Sequence, residues 1–370
     1  MKKRWMKPFL TALFALLIHD GMLVLGCWAL DGKITAEGLY SLIRDRLTIP
    51  GDAVRYLQIA RDGYVTTGED AINLVFYPLY PLLMRIFSFG VFDLAAVGMV
   101  LSRLFLMGAA VCLYELAKAD QGEEKALFSV CLMAVYPFSM FTVGVYTESL
   151  FLLLTIGCML AIRKDKMVMA GLIGFLAALT RVQGMLLVFP AVYHAVAGAL
   201  GEEKRRIRPS DAWVLLIPAG FMVYLGINWA LHGNAFQFLI YEEGEPWYQS
   251  TRWVGENIAQ QYRNALDFQG LEGIIYWPQI VLYFLAVALL FYGIRKKVRM
   301  EYLLYGAVYL GFTYLSGWMI SGGRYMLCCF PLYLILGQIS SGKGRWAVLA
   351  ASGGFFFLYS FLFLAGYAIM

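Results

Sequence analysis

Apolar runs of membrane-spanning length recur along this chain, separated by shorter polar intervals. Lipid offers no water to satisfy backbone N–H and C=O groups, so an apolar run of about 20 residues is constrained to fold as a helix. Hydrophobic residues fill 61% of the 370 positions and charged residues only 15%, against about 25% charged in an ordinary soluble domain. Candidate spans lie near 9–30, 92–117, 126–144, 148–162, 167–181, 184–200, 212–231, 272–294, 301–320, 324–339 and 346–368, about 11 in all. The 74–90 segment is also apolar, but Pro78 and Pro81 predict a broken or re-entrant helix there. No polar interval is long enough to enclose a core of its own. The expectation is an all-α polytopic membrane protein, a single domain over residues 1–370.

The N-terminus carries Lys2, Lys3, Arg4 and Lys7 ahead of an apolar run, and Leu25-Gly26-Cys27 hints at a lipoprotein cleavage site. The run is longer than the apolar region of a signal peptide and membranous sequence follows it, so it reads as an uncleaved first span. With the N-terminus in the cytoplasm, the short loops on that side hold most of the basic residues, among them Lys118, Lys125, Arg163, Lys164, Lys166, Arg295, Lys296 and Arg299. That is the pattern the positive-inside rule requires. The outer side then receives two long loops, 31–91 and 232–271. It also receives the turns Tyr146-Thr147-Glu148-Ser149, Thr180-Arg181-Val182-Gln183-Gly184 and Ser321-Gly322-Gly323-Arg324-Tyr325. Each turn brings a charged or amide side chain to one membrane face, and ionisable groups at such depth are functional by default.

The first outer loop is far longer than a connection needs, which points to function. Residues 52–63 read as a short amphipathic helix with Ala53, Tyr56, Leu57, Ile59 and Ala60 on its apolar side and Gly63 as its stop. Pro50-Gly51 fixes how the chain enters that helix. Asp52 opens it, with Arg55 and Tyr56 following on the same face. Two roles fit Asp52: a helix cap, or a general base taking a proton from an attacking hydroxyl. Arg181 and Arg324 stand at the cavity mouth, where a guanidinium fork suits phosphate or snorkels to headgroups. The acidic and aromatic cluster from Glu242 to Tyr248 suits either a sugar ring or an interfacial belt. His19 and Asp20, midway along the first span, read as a pairing with another span.

The six cysteines sit within or beside apolar runs without ligand spacing, so no zinc site or disulfide framework is expected. No Walker A, HExxH, G-x-S-x-G or kinase pattern is present. Neither a nucleotide cofactor nor a nucleic-acid partner is expected.

An ordered set of motifs spans residues 51 to 333. It comprises Gly51-Asp52-Ala53 with Tyr56, Ile59-Ala60 and Gly63-Tyr64; Tyr77-Pro78-Leu79-Tyr80-Pro81; and Tyr146-Thr147-Glu148-Ser149. It continues with Thr180-Arg181-Val182-Gln183-Gly184, Pro246-Trp247, and Arg324-Tyr325 followed by Phe330-Pro331-Leu332-Tyr333. Together they resemble the PIG-V-like mannosyltransferases, the family of GPI mannosyltransferase 2 and its bacterial relatives, within the GT-C membrane glycosyltransferases. Gly51 stands where that family typically has tryptophan, and Gln183 where it has asparagine.

The resemblance implies a GT-C-like helical bundle whose first outer loop carries short amphipathic helices. It implies transfer of a sugar, mannose above all, from a polyprenyl- or dolichyl-phosphate donor to a hydroxyl of a glycolipid or glycan acceptor, with inversion. Asp52 is then the base. Arg324 and Arg181 hold the donor phosphate. Arg55, Tyr56, Glu148, Gln183, Trp247 and Tyr325 bind substrate. The donor is already activated, so no cofactor and no metal are expected; membrane lipid is the remaining partner. Compact length and short loops suggest a bacterial plasma membrane, with the endoplasmic reticulum as the alternative. A transporter or lipid flippase is the competing class, and it predicts polar residues through the whole membrane depth.

Overall fold

The computed structural model describes residues 2–48, 51–200, 207–267, 273–317, 320–339, 341–367 and 369. Pro50 lies outside them. Among the described residues the chain is helical, with no strand beyond an isolated bridge between Thr251 and Ser316.

Five described helices are long and apolar enough to cross a membrane: Lys7–Asp31, Leu94–Gln121, Pro209–His232, Ile275–Arg295 and Gly342–Leu364. Their outer faces expose large apolar side chains such as Phe14, Leu17, Trp229, Phe284 and Phe355. In water that would favour association, whereas against acyl chains it costs nothing. The chain is an integral membrane protein. The break expected at 74–90 is present: Glu69–Val75 and Leu79–Ser88 meet at 110° and count as a sixth span only together. The about 11 spans read from hydropathy are not reached by this measure. Several apolar runs fold in pieces, because proline removes a backbone donor and clashes with the preceding turn. The 126–144 run divides at Pro137 into Glu123–Ala134 and the turn Ser139–Thr142. The 324–339 run divides into Gly322–Leu327 and Pro331–Leu336.

Charge is sorted along the bundle. Glu148–Arg163 is one helix, roughly 24 Å long at 1.5 Å per residue. At its far end Arg163 donates to Asp120 at 2.9 Å, Arg208 bridges Asp165 at 2.7 Å, and His194 meets Glu301 at 3.0 Å. The short basic loops are therefore tied into ion pairs at the end remote from Glu148. Deeper in the bundle, buried His19 contacts Ser139 at 3.2 Å and Arg103 donates to Asp20 at 3.0 Å. Both first-span residues thus pair with other segments, as expected.

Hydrophobic burial alone does not bring helices together in lipid, so close backbone approach and buried hydrogen bonds do. Met167–Ala178 and Leu216–His232 pack through glycine: a Cβ on Gly174 would strike the Ile217 side chain, and one on Gly220 the Phe175 carbonyl. Buried tyrosines carry much of the rest. Tyr80 donates to the Gly98 carbonyl at 3.0 Å, Tyr224 to that of Leu74 at 2.7 Å, and Tyr309 to that of Tyr325 at 2.8 Å. The first two bonds tie the spanning helices Leu94–Gln121 and Pro209–His232 to the bent segment, and the third holds the short helix Gly322–Leu327.

Gly220→Leu should therefore lower stability by about 1–3 kcal/mol through overpacking. Gly226→Leu, on the same helix with nothing within 4 Å of an added Cβ, should not. Thermal unfolding of the two variants in detergent checks this.

Candidate active site

Residues 52–62 are helical, and the expected apolar side is buried at Ala53, Tyr56, Ile59 and Ala60. Gly63 ends the helix, its N–H donating to the Ile59 carbonyl at 2.9 Å. The residue before the helix is Gly51, at φ 61° and ψ −132°. That region is open to glycine and strained for any side chain. Glycine in place of the tryptophan typical of the motif thus has a backbone consequence: the chain enters the helix by a turn that tryptophan would resist.

Asp52 is the first residue of the helix and not its cap, which is Gly51. Its Oδ2 instead accepts from Arg324 Nη1 at 2.9 Å. Arg324 is 6% exposed, and its remaining contacts explain how it stays charged there. Nε and Nη2 both donate to Glu148 Oε1, at 2.9 and 2.8 Å. The guanidinium lies over Phe141 at 4.5 Å and Tyr146 at 5.0 Å, whose ring faces favour a cation. Arg181 joins from the other side, with Nη1 3.3 Å from the same Glu148 oxygen and its guanidinium over Tyr325 at 5.0 Å. One fully buried carboxylate therefore holds two arginines, and one of these reaches out to Asp52.

The backbone makes this convergence possible. A Cβ on Gly323 would overlap the Phe138 ring, so glycine there lets the Gly322–Leu327 helix seat Arg324 against Phe141. Val145 N–H donates to the Leu47 carbonyl at 3.0 Å, pinning the Arg44–Thr48 turn to the segment that leads into Glu148. Tyr56 packs edge-on against Phe76 and Tyr80, at 5.1 and 5.6 Å, and fixes the Asp52 helix beside the 110° bend.

A cavity of about 580 Å³ opens over this cluster. Asp52, Arg55, Tyr56, Arg181, Gln183, Trp247, Arg324 and Tyr325 all line it, although they come from four separate stretches of sequence. Glu148 does not: it is buried behind the two arginines, so its place is structural support of the wall rather than contact with cavity contents. Arg55 faces the cavity while pairing with Asp70 at 3.4 Å. Trp247 stands edge-on to Phe76 at 5.9 Å.

Sequence reasoning missed part of this wall. Arg46 and the C-terminal Phe363, Gly366, Tyr367 and Ile369 line the cavity and carry no motif. The available signal for Arg46 was its sign, a basic residue on the side the positive-inside rule leaves poor in them. Glu242, noted only within an acidic cluster, also lines the cavity. Burial pushes its carboxyl up to about 7, because desolvation disfavours the charged form. Among the described residues no group of three His, Cys, Asp or Glu side chains is placed to hold a metal ion.

The fold is that of the GT-C membrane glycosyltransferases. The chain superposes on ArnT from Cupriavidus metallidurans, whose structure contains undecaprenyl phosphate. The match has a TM-score of 0.58 at 12% identity and covers 92% of this chain and 62% of that one. The sequence profile of the family "Mannosyltransferase (PIG-V)" matches residues 4–244, and the chain belongs to that family. No curated protein sequence matches it.

Removing the buried anion should break the cluster. Glu148→Ala leaves Arg181 without a carboxylate and Arg324 with Asp52 alone, and should destabilise the protein by about 3–5 kcal/mol. Asp52→Ala, at the partly exposed end of the cluster, should cost much less. Chemical denaturation in detergent compares the two.

Proposed function

We propose that this protein is an inverting glycosyltransferase that moves a sugar, mannose in the first instance, from a polyprenyl-phosphate donor to a hydroxyl of an extracytoplasmic glycolipid or glycan acceptor. The observation that carries the reading is Asp52: a carboxylate on a cavity wall, with one oxygen engaged by a buried arginine. Membership of a mannosyltransferase family supports the reaction class and the sugar. The undecaprenyl phosphate in the ArnT structure supports the donor class.

Asp52 Oδ2 is held by Arg324, which fixes the carboxylate's orientation. Oδ1 has no hydrogen bond among the described residues and faces the acceptor. As the acceptor oxygen bonds to the anomeric carbon, its proton passes to Asp52. The bond between that carbon and the phosphate oxygen breaks on the opposite face, which inverts the configuration. The leaving group is a lipid phosphate, already a good one, so we propose that neither nucleotide nor metal is needed. Arg181 and Arg324 contribute positive charge near the developing anion. Arg55, Tyr56, Gln183, Trp247 and Tyr325 contact the sugar and lipid headgroup, and Glu148 orients the arginines. The site lies on the extracytoplasmic face of a bacterial plasma membrane, with the N-terminus in the cytoplasm.

Purified protein in lipid, given polyprenyl-phosphate mannose and a membrane glycolipid pool, should transfer label. Asp52→Asn should lower the rate by about 10²–10⁴ without a comparable fall in melting temperature. Equal rates in wild type and variant would remove Asp52 as the base.

Glu242 adds a pH dependence. Its carboxyl is neutral below about 7 and charged above it. An anion in the same cavity is repelled once it ionises, so the apparent donor KM should rise as pH passes through 7. Glu242→Gln should flatten that rise, and donor titrations at pH 6 and pH 8 measure it.

A further inference from the structure

The cavity wall must do two jobs under the proposed reaction: hold the Asp52 carboxylate in place and receive a phosphate. The central cluster is occupied with the first. Asp52 and Glu148 contribute two negative charges, Arg181 and Arg324 two positive ones, and each arginine lies within 3.3 Å of a carboxylate oxygen. Formally the four cancel. Arg55 is shared with Asp70 at 3.4 Å. A phosphate placed here needs a cation that no carboxylate has already neutralised.

Arg46 is such a cation. Its Nε donates to the Leu364 carbonyl at 3.0 Å; among the described residues no carboxylate forms an ion pair with it, and the adjacent Asp45, which acts on it only at longer range, is paired with Arg44 at 3.0 Å. A carbonyl orients a guanidinium without cancelling its charge. The side chain is held in place: the Arg44–Thr48 turn is pinned by the Val145 to Leu47 bond. The guanidinium plane rests on Gly366, where an added Cβ would lie 2.8 Å from Nη2 and 3.0 Å from Nη1. The cavity wall there includes apolar Phe363, in the last turn of the spanning helix Gly342–Leu364, and Ile369 beyond its end. A fixed, unneutralised cation next to an apolar wall fits a phosphate carried on a hydrocarbon chain.

We infer that Arg46 receives the phosphate of the polyprenyl-phosphate donor, with its first isoprene units along Phe363 and Ile369. This rests on the donor class proposed above and divides the labour: Arg324 holds the base, Arg181 and Arg324 act on the developing anion through their field, and Arg46 makes the direct hydrogen bonds to the leaving phosphate. As the glycosyl bond breaks, the phosphate oxygen takes the electron pair, and the donors of Arg46 meet the charge that develops.

The test measures binding, so it does not depend on the acceptor. Undecaprenyl phosphate and undecaprenol are titrated against the full-length protein in detergent, as wild type, Arg46→Gln, Arg46→Lys, Arg324→Gln and Gly366→Ala. Wild type should prefer the phosphate. Arg46→Gln should weaken undecaprenyl phosphate about 10- to 100-fold, the value of hydrogen bonds to a charged group, and leave undecaprenol unchanged. Arg46→Lys should recover part of the loss. Gly366→Ala, which displaces the guanidinium without removing it, should weaken binding in the same direction and serves if Arg46→Gln does not fold. Undecaprenyl phosphate binding unchanged in Arg46→Gln but lost in Arg324→Gln would overturn the inference while leaving the donor class intact. A wild type with no preference for phosphate over alcohol would overturn both. Inorganic phosphate binding as tightly as the lipid would overturn the placement along Phe363 and Ile369.

Discussion

The site depends on one buried carboxylate. Glu148 is fully enclosed, and an isolated charge at that depth would be too costly to keep. Two arginines from distant turns meet it on a single oxygen, and aromatic faces cover what remains of their surfaces. Each charge is tolerable only because the others are present, so the three segments that carry them cannot separate cheaply. The cluster is thus both a clasp between helices and the mount for Asp52. Arg324 leaves it by a single N–H, and that bond sets where the Asp52 carboxylate points.

The membrane explains why such a clasp is needed. Lipid removes most of the hydrophobic advantage of helix packing, so specificity comes from glycine contacts and from polar groups with few alternative partners. The described bundle uses both. Glycine closes the Met167–Ala178 and Leu216–His232 pair, tyrosine hydroxyls seek out carbonyls of broken segments, and ion pairs gather at the remote end. The irregular backbone sits where it lines a cavity or is buried in protein, which is the condition under which lipid allows it. The 110° bend and the short helices around Arg324 are of this kind.

Much of the site was legible in the sequence because its residues fall at the breaks between apolar runs. An ionisable residue at such a break has few reasons to be there other than function. Asp52, Arg181, Gln183, Trp247, Arg324 and Tyr325 were found this way and converge on one cavity. Glu148 shows the limit. The same signal marked it, yet it lies behind the wall, because a break in hydropathy does not reveal which side chain faces the void. Arg46 shows the opposite error: its significance lies in what does not neutralise it, and a list of residues cannot show that.

The sequence by itself determined that this chain lives in a membrane, that it is helical, where its proline breaks fall and which residues are too polar to be idle. Those follow from composition and local chemistry, which lipid enforces residue by residue. Only the tertiary structure decided how many apolar runs are span-length helices, and that Asp52 answers to Arg324 rather than to its own helix. It alone decided that Glu148 supports while Arg46 stands open. Those are matters of distance between segments hundreds of residues apart, and charge pairing depends on distance in space, which the order of residues does not contain.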